Sequence, residues 1–360
     1  MLVPKAEELV AIPYRHDGKK NAEEYFLDGM TRAIHRMSEQ SDSAFPATIY
    51  YAFKQSEVEA EGIASTGWAT FLEAIGRSGF AVVGTWPVRT ERTARTTSIG
   101  TNALASSIVL VCRKRPENAS LTTRADFLKA LKRELPPALK LLQHGNIAPV
   151  DMAQASIGPG MAIFTRFSKV LESDDSPMTV KTALQLINRA LDEYLSEQEA
   201  DYDADTRFAI TWFESSGMEE GQFGDADNLA RARNISVDGV RAAGIVKSGG
   251  GKVRLLRREE LSDDWDPSTD ERLTVWECAQ YLIRSLESEG EAAAADLLAR
   301  LGSSGEIARD LAYQLYGICE RRKWADEGRA YNGLVVAWPE ISRLAAQERP
   351  TGPAEPELAL

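Results

Sequence analysis

Hydrophobic positions recur at helical spacing in several stretches of the chain. From Ala22 to Met37 the apolar residues lie three and four positions apart, which predicts an amphipathic helix. The same spacing predicts helices at 67–77 and 179–196, each with an apolar face that must pack against something. A long helix is also expected at 121–142. We expect Pro136-Pro137 to interrupt it, because proline lacks the backbone N–H that a helix needs.

Runs of β-branched and aromatic residues predict three strands, at 45–53, 80–87 and 106–113. The predicted helix at 67–77 separates the first two strands, and this order favours a parallel pair joined by a right-handed crossover. No helix precedes the third strand. We therefore expect the third strand to run antiparallel, between or beside the other two. The chain after Pro116 is predicted to be mainly helical.

The later part of the chain adds short helices, a glycine turn at Ser248–Gly251 and a basic strand, an order compatible with a winged-helix-like segment at 223–256. The predicted helices here are 206–216, 225–233, 236–243, 272–287, 291–301 and 304–322. The pattern predicts three regions. They are an α/β domain at 1–118, a mainly helical domain at 119–345, and a Pro- and Glu-rich tail at 346–360 that is expected to be disordered.

Composition and charge narrow the class of protein. The chain has 360 residues, 43% of them hydrophobic, which is enough for a sizeable core. Its net charge of −12 argues against the whole chain wrapping DNA, because phosphate binding needs clustered cations. No apolar run approaches the roughly 20 residues that span a bilayer, so no membrane partner is expected. The three cysteines form no CxxC pair, which argues against a zinc site or a disulfide framework and favours a cytoplasmic protein.

Six stretches carry a resemblance to a known family. They are PKAEELVAIPYRH, TIYYAFKQSE, GWATFLEAIGRSGFAVVGTWPVRTE, ALASSIVLVCRKRP, DMAQASIGPGMAIFTRFSKVLE and FGDADNLARARNISVDGVRAAGIVKSGGGKVRLL. They cover most of residues 4–256. On these stretches the chain resembles the C-terminal portion of the large adenine-specific DNA methyltransferases linked to anti-phage defence, which carry an N-terminal domain of unknown function. The resemblance implies an α/β plus mainly α fold, in which the C-terminal half of a class I methyltransferase-like sheet precedes a helical domain.

The same resemblance implies that S-adenosylmethionine is the methyl donor of the intact enzyme. Members of the family carry a glycine-rich donor-binding turn and an Asn/Asp-Pro-Pro-Tyr tetrapeptide that holds the target amino group. This sequence contains neither: its Pro136-Pro137 lacks the flanking residues, and Ile157–Gly160 (IGPG) is expected to be a structural turn. We therefore expect no catalytic residue, no metal and no S-adenosylmethionine binding in this chain alone. The expected partner is a donor-binding half encoded separately.

Two groups of residues are candidates for the pocket of an extruded base. Tyr14, Arg15 and His16 could line it if the missing half were supplied, although an ordinary polar loop explains them equally well. Lys54 and Gln55 come just after a predicted parallel strand, at the end where α/β sites lie.

Two basic groups are candidates for DNA contact, and each has a plain alternative. Arg89, Thr90, Arg92 and Arg95 follow the second strand and suit phosphate contacts, whereas the alternative is a solvated loop. The candidates in the winged-helix-like segment are Arg231, Arg233, Lys252 and Arg254, with Arg241 beside them. Acidic neighbours favour a protein-packing role for that segment. We expect the chain alone to bind DNA weakly.

Two functions remain open at this point. The chain is either the C-terminal part of an adenine-specific DNA methyltransferase, as a split subunit or a truncated remnant, or a noncatalytic protein-interaction or DNA-binding subunit of an anti-phage defence system. An upstream gene ending in the Asn/Asp-Pro-Pro-Tyr segment would favour the split subunit. An independent enzyme is disfavoured, because the sequence contains no recognisable nucleophile–base or metal-ligand cluster.

Overall fold

The structure is a computed structural model that describes residues 8–52, 66–88, 107–198 and 202–348. These residues are mixed α/β, mostly helical with small sheets, which confirms the coarse fold class expected from sequence. The chain divides into two compact units, Met1–Gly145 with Val150–Tyr194 and Asn146–Pro149 with Leu195–Leu360. The sequence placed the first boundary at residue 118, whereas the first unit continues to residue 194.

The first unit begins with a short 3-10 turn and then alternates helices with short strands. Its elements are α1 (Lys19–Gln40), β1 (Ala47–Ala52), α2 (Thr66–Arg77), β2 (Phe80–Val88), β3 (Ser107–Lys114), β4 (Leu121–Thr123), α3 (Arg124–His144), α4 (Pro149–Thr165), β5 (Lys169–Leu171) and α5 (Val180–Glu197).

The main sheet has the order β1-β3-β2, with β3 antiparallel to both neighbours. The predicted single sheet with a central or flanking antiparallel third strand is confirmed. β1 and β2 run in the same direction, but they are separated by β3 and do not pair with each other. A separate two-stranded parallel sheet joins β4 and β5, and no sequence pattern had indicated it.

Among the described residues, helices cover one face of the main sheet, and the other face carries exposed aromatic side chains. On the covered face the Tyr51 ring lies 4.8 Å from the rings of both Trp68 and Phe71 in α2, and α1 packs on α2. On the opposite face Val109 pairs across the strands with Tyr50 on one side and Trp86 on the other. Tyr50 is 72% exposed and Trp86 is 63% exposed, so this face carries two uncovered aromatic rings.

Helix α4 covers β2 along its length. The Thr165 hydroxyl oxygen accepts a hydrogen bond from the Val82 amide at 3.0 Å, and the Thr85 hydroxyl donates to the Gln154 carbonyl at 3.1 Å. The IGPG stretch at 157–160 lies inside this helix, so the expectation of a turn there is wrong. Its Gly158 serves close packing instead of a change in chain direction.

Pro136 and Pro137 lie inside α3 and do not interrupt it, contrary to the sequence-based expectation. Pro136 is half-buried and Pro137 is exposed, while Leu135 and Leu139 on either side are fully buried. The packed leucines hold the helix through the proline pair, and the carbonyls left without an N–H partner belong to the exposed residues Lys132 and Arg133.

The second unit combines a small three-stranded sheet with helices on either side of it in sequence. After the end of α5 its elements are α6 (Ala204–Ser216), β6 (Gly221–Gln222), α7 (Phe223–Arg231), α8 (Val237–Ala242), β7 (Val246–Gly249), β8 (Lys252–Leu255), α9 (Val275–Glu289), α10 (Glu291–Leu301), α11 (Ser303–Arg322) and α12 (Ala325–Glu348).

Helices α9 to α12 pack together around large buried aromatic side chains, including Trp276, Tyr313, Tyr331 and Trp338. The last helix predicted from sequence ends at residue 322, so α12 was not predicted, although apolar residues recur at helical spacing there. α12 extends to Glu348, so residues 346–348 are helical, and the rest of the predicted tail lies outside the described residues. None of the described helices is long and apolar enough to cross a membrane.

Candidate functional site

Register across the main sheet brings the ends of β1 and β2 to the same end of the sheet. Ser107, the first residue of β3, pairs with Ala52 at the end of β1 and with Val88 at the end of β2. The two strand ends are therefore two strand spacings apart, about 10 Å. We call this end of the sheet the substrate edge, because the segments after it are expected from sequence to meet the substrate. The candidates that follow these ends lie outside the described residues: Lys54, Gln55, Arg89, Thr90, Arg92 and Arg95.

The other predicted pocket residues form a short 3-10 turn before α1. Arg15 pairs with Glu8 at 3.3 Å, and the His16 ring stacks on Tyr25 with 4.3 Å between ring centroids. His16 Nε2 also lies 3.2 Å from the Val10 carbonyl. Tyr14 is exposed, so of the three candidates it alone presents its ring to solvent. The local segment thus holds Arg15 and His16, and Tyr14 is the residue best placed to meet a ligand.

A buried polar side chain near the substrate edge was not singled out from sequence. Gln154 in α4 is only 5% exposed, and neither atom of its amide has a hydrogen-bond partner among the described residues. Its backbone carbonyl accepts from Thr85, three residues before the end of β2. Leaving a buried amide unsatisfied costs about 1–3 kcal/mol. Sequence offered no sign of this, because the burial of Gln154 follows from α4 lying against β2.

Residues of the second unit form the two helices, the glycine turn and the basic strand that the sequence predicts for the winged-helix-like segment. The chain runs α6-β6-α7-α8-β7-β8, and the strands pair antiparallel in the order β6-β8-β7. Gly250 and Gly251 connect β7 to β8 with φ of +58° and +77°. A two-residue hairpin loop of this kind needs positive φ at both positions, which glycine supplies at no steric cost. We call the β7–β8 hairpin the wing.

The four basic candidates of this segment fall into two groups. Arg254 donates to both carboxylate oxygens of Glu260 at 2.5 and 2.6 Å, and this holds the pKa of Glu260 at about 2. Arg233 donates to the Thr211 hydroxyl at 2.7 Å. These two arginines therefore serve packing within the unit, as the protein-packing alternative expects.

The remaining two candidates are exposed. Arg231 pairs with Asp227 at 2.8 Å, whereas Lys252 on the wing has no ion pair among the described residues. In α8, which follows α7, Arg241 is paired with Asp238 at 3.2 Å. Residues 203–262 carry ten carboxylates against nine Lys or Arg, so the wing is the part of this segment best suited to a polyanion.

The described residues carry few side chains suited to metal or thiol chemistry. They contain no group of three or more His, Cys, Asp or Glu placed to hold a metal ion. Burial raises the pKa of the Cys112 and Cys278 thiols to about 12, which keeps them protonated at neutral pH. The IGPG stretch does not fit a donor-binding turn, because it lies inside a helix and Gly158 is pressed against β2.

Comparison with known proteins gives one match. A family model described as a domain of unknown function (DUF8807) matches residues 203–358. No curated protein and no solved structure matches the chain. The matched residues take in the winged-helix-like arrangement and helices α9 to α12, so this part of the chain is similar to that family as one continuous segment.

Proposed function

We propose that this chain is the C-terminal part of an adenine-specific DNA methyltransferase and acts with a donor-binding part, on another chain or elsewhere in the same polypeptide. The sequence resemblance first suggests this function. The order of strand β1, helix α2, strand β2 and antiparallel strand β3 agrees with the way such a sheet ends.

The observation that carries the proposal is that the main sheet looks unfinished. Among the described residues β1 pairs with β3 alone, so its other edge is open for a further strand. Tyr50 and Trp86 lie on the same bare face, opposite the face that α2 covers. A sheet with one open edge and exposed aromatic rings is typical of a surface that another part of a fold covers.

The residues present indicate which functions each of the two parts would supply. The donor-binding part would supply the S-adenosylmethionine site and the acceptors for the adenine amino group. This chain would supply the sheet edge, the loop with Arg89, Arg92 and Arg95 for phosphates, and Tyr14 as an exposed ring near an extruded base.

Reconstitution tests the proposal. The chain is co-expressed with a donor-binding protein that carries the glycine-rich turn and the Asn/Asp-Pro-Pro-Tyr segment, and transfer of a tritiated methyl group to adenine in DNA is measured. We expect transfer from the pair and from neither protein alone. A pair that assembles and yet transfers no methyl group to DNA of varied sequence would contradict the proposal, as would a failure to assemble.

Matched variants test the assembly surface. Tyr50→Glu and Trp86→Glu place a charge on the bare sheet face, and we expect each to weaken assembly and methyl transfer together. Leu141→Glu is the control, because Leu141 in α3 is also 72% exposed and lies on another element. Equal loss in all three variants would mean that added charge, and not this face, disrupts the complex.

A second function is favoured by the winged-helix-like arrangement alone. It is that of a noncatalytic DNA-binding or protein-interaction subunit in an anti-phage defence system. The strand order β6-β8-β7 and the exposed Lys252 on the wing support DNA contact, whereas the paired Asp238 and Arg241 in α8 do not. Tight DNA binding by the chain alone at physiological salt would favour this function over the first.

A further inference from the structure

A cavity of about 390 Å³ lies within the first unit, away from the substrate edge. It is lined by residues from the end of α2, the start of the chain after β3, and the segment from α4 to α5. Phe80 pairs with Lys114 at the end of β2 and β3 opposite to Val88 and Ser107, and Arg115 follows directly. The cavity is therefore at the other end of the sheet from the loops that would meet DNA.

Arg115 is the central polar group of this cavity. It is half-buried and donates to three backbone carbonyls, those of Gly76 at 3.0 Å, Phe167 at 3.4 Å and Thr165 at 3.5 Å. Gly76 and Thr165 end α2 and α4, so the guanidinium lies where the negative ends of two helix dipoles meet. Three of its five N–H donors are used, and Nε with one N–H of Nη2 has no partner among the described residues.

The cavity has an excess of positive charge. Its one carboxylate, Glu73, is satisfied by Arg77 at 3.0 Å and by the Val180 amide at 3.3 Å. Within the part of the chain that the structure describes, neither Arg115 nor the lining residue Lys169 has a carboxylate partner. Burial lowers the pKa of Arg115, because no anion offsets the loss of water around the guanidinium.

The rest of the lining is apolar. The apolar lining residues are Phe164, Phe167, Val170, Pro177 and Met178. The volume falls within the range of about 300–1,000 Å³ typical of small-molecule pockets, which combine apolar walls with a few fixed polar groups.

We propose that this cavity binds a small organic acid, with its carboxylate on Arg115 and Lys169 and its apolar body against Phe167 and Met178. The free Nε–H and Nη2–H of Arg115 match the two oxygens of a carboxylate, and a guanidinium already held by three carbonyls loses little freedom on binding. The site is separate from the substrate edge and does not depend on the methyltransferase proposal.

Calorimetric titration of the full chain with four probes tests this site. The probes are 3-phenylpropionate, its neutral amide 3-phenylpropanamide, acetate and inorganic phosphate. We expect saturable binding of 3-phenylpropionate at millimolar concentration, about tenfold or more tighter than each of the other three. No saturable binding, or equal binding of the acid and the amide, overturns the proposal. Phosphate bound as tightly as 3-phenylpropionate also overturns it, because the apolar wall would then contribute nothing.

Two substitutions locate the binding. Lys169→Glu reverses an exposed charge at the mouth of the cavity, and we expect it to weaken 3-phenylpropionate binding about tenfold or more without changing the melting temperature. Lys132→Glu in α3 is the control, since Lys132 is exposed and does not line the cavity. Arg115→Lys keeps the charge but loses the two-pronged contact, so it should weaken binding as well. Unchanged binding in Lys169→Glu would assign the ligand to another place.

Discussion

Gly158 in α4 lies so close to Thr85 in β2 that a Cβ on Gly158 would stand 2.4 Å from the Thr85 nitrogen and 2.7 Å from its hydroxyl oxygen. This approach allows the Thr85 hydroxyl to donate to the carbonyls of Gln154 and Ala155 at 3.1 and 3.2 Å. Because Gly158 has no side chain, α4 can approach the edge strand β2 this closely. The helix thereby covers the free edge of β2.

Gly158→Ala should destabilise the protein by about 1–3 kcal/mol, because the added methyl group meets backbone that must shift. Urea unfolding followed by circular dichroism measures this. Gly76→Ala in α2 is the matched control, since nothing lies within 4 Å of a Cβ built there. The control should be neutral or stabilising by up to about 1 kcal/mol, because alanine favours a helix more than glycine does. Similar effects of the two substitutions would contradict this account.

Local sequence predicted the strands of the main sheet, but it did not predict the role of a glycine that packs against a distant strand. The strand expected at 106–113 is observed as Ser107–Lys114. Its β-branched residues favour the extended conformation of a strand and pack well on a pleated sheet. The IGPG stretch at 157–160 was mistaken for a turn, because Gly and Pro usually mark turns in local sequence. Gly158 packs against Thr85, which lies more than seventy positions earlier in the chain. A local sequence pattern carries no information on such a contact.

The candidate sites show the same limit. The two short helices, the glycine turn and the strand β8 of the winged-helix-like segment were predicted from local sequence, whereas the short strands β6 and β7 were not. Sequence could not separate Arg254, which Glu260 holds in a two-pronged pair, from Lys252, which is exposed on the same strand. Arg115 was not singled out from sequence, because the carbonyls it contacts come from distant parts of the chain.

Glu277 makes the stability of the protein depend on pH. Burial, with smaller contributions from Asp270 and Asp203, raises its pKa from 4.5 to about 7, although hydrogen bonds from Thr274 oppose this. The folded state therefore holds the proton more tightly than the unfolded state. The resulting stability is fully present below pH 4.5 and is lost as the pH rises to about 7, by roughly 3 kcal/mol in all.

Glu277→Gln tests that dependence. The amide oxygen can still accept from the Thr274 amide and hydroxyl, but the side chain no longer ionises. The free energy of unfolding of the variant should fall less than that of the wild type between pH 4.5 and 7, and the two curves should run parallel above pH 7. Parallel curves across the whole range would mean that Glu277 does not titrate in this window.

Removing only one partner of the Arg258–Glu327 ion pair should strongly destabilise the protein. Two contacts join the side chains, one of them at 3.3 Å from Nη1 to Oε2, and the guanidinium lies 5.3 Å from the Tyr331 ring centroid. Arg258→Met leaves the half-buried Glu327 without its partner, and a loss of about 3–5 kcal/mol is expected.

Arg329→Ala is the comparison for that variant. Arg329 pairs with the exposed Asp326 at 2.9 Å, and both residues lie in α12, the helix that also carries Glu327. It should cost less than about 1 kcal/mol. Adding Glu327→Leu to Arg258→Met should recover part of the loss, since no carboxylate then remains unpaired. A single substitution at Arg258 that costs no more than Arg329→Ala would show that water reaches the pair.

Lys252 and Arg254 should behave differently in DNA binding by the chain alone. Lys252→Ala removes an exposed cation from the wing and should flatten the slope of log affinity against log salt by about one unit if the wing touches a phosphate. Arg254→Ala should leave that slope unchanged and lower the melting temperature, because Arg254 is committed to Glu260. An unchanged slope in Lys252→Ala would leave the segment with a protein-packing role.

Arg92 and Arg95 carry the last prediction, which concerns the proposed complex with a donor-binding protein. Both lie outside the described residues, but their loop leaves β2 at Val88, on the substrate edge beside the end of β1. Arginines on such a loop meet phosphates more readily than base edges, and phosphate contacts position a protein without reading sequence. Arg92→Ala and Arg95→Ala should each flatten the salt dependence by about one unit and leave the preference for target sequence unchanged. The measurement is DNA affinity across a salt series on two duplexes that differ only in the target site. A change in the ratio of the two affinities would make the loop a reader of bases, and an unchanged salt slope would make it a solvated loop with no part in DNA binding.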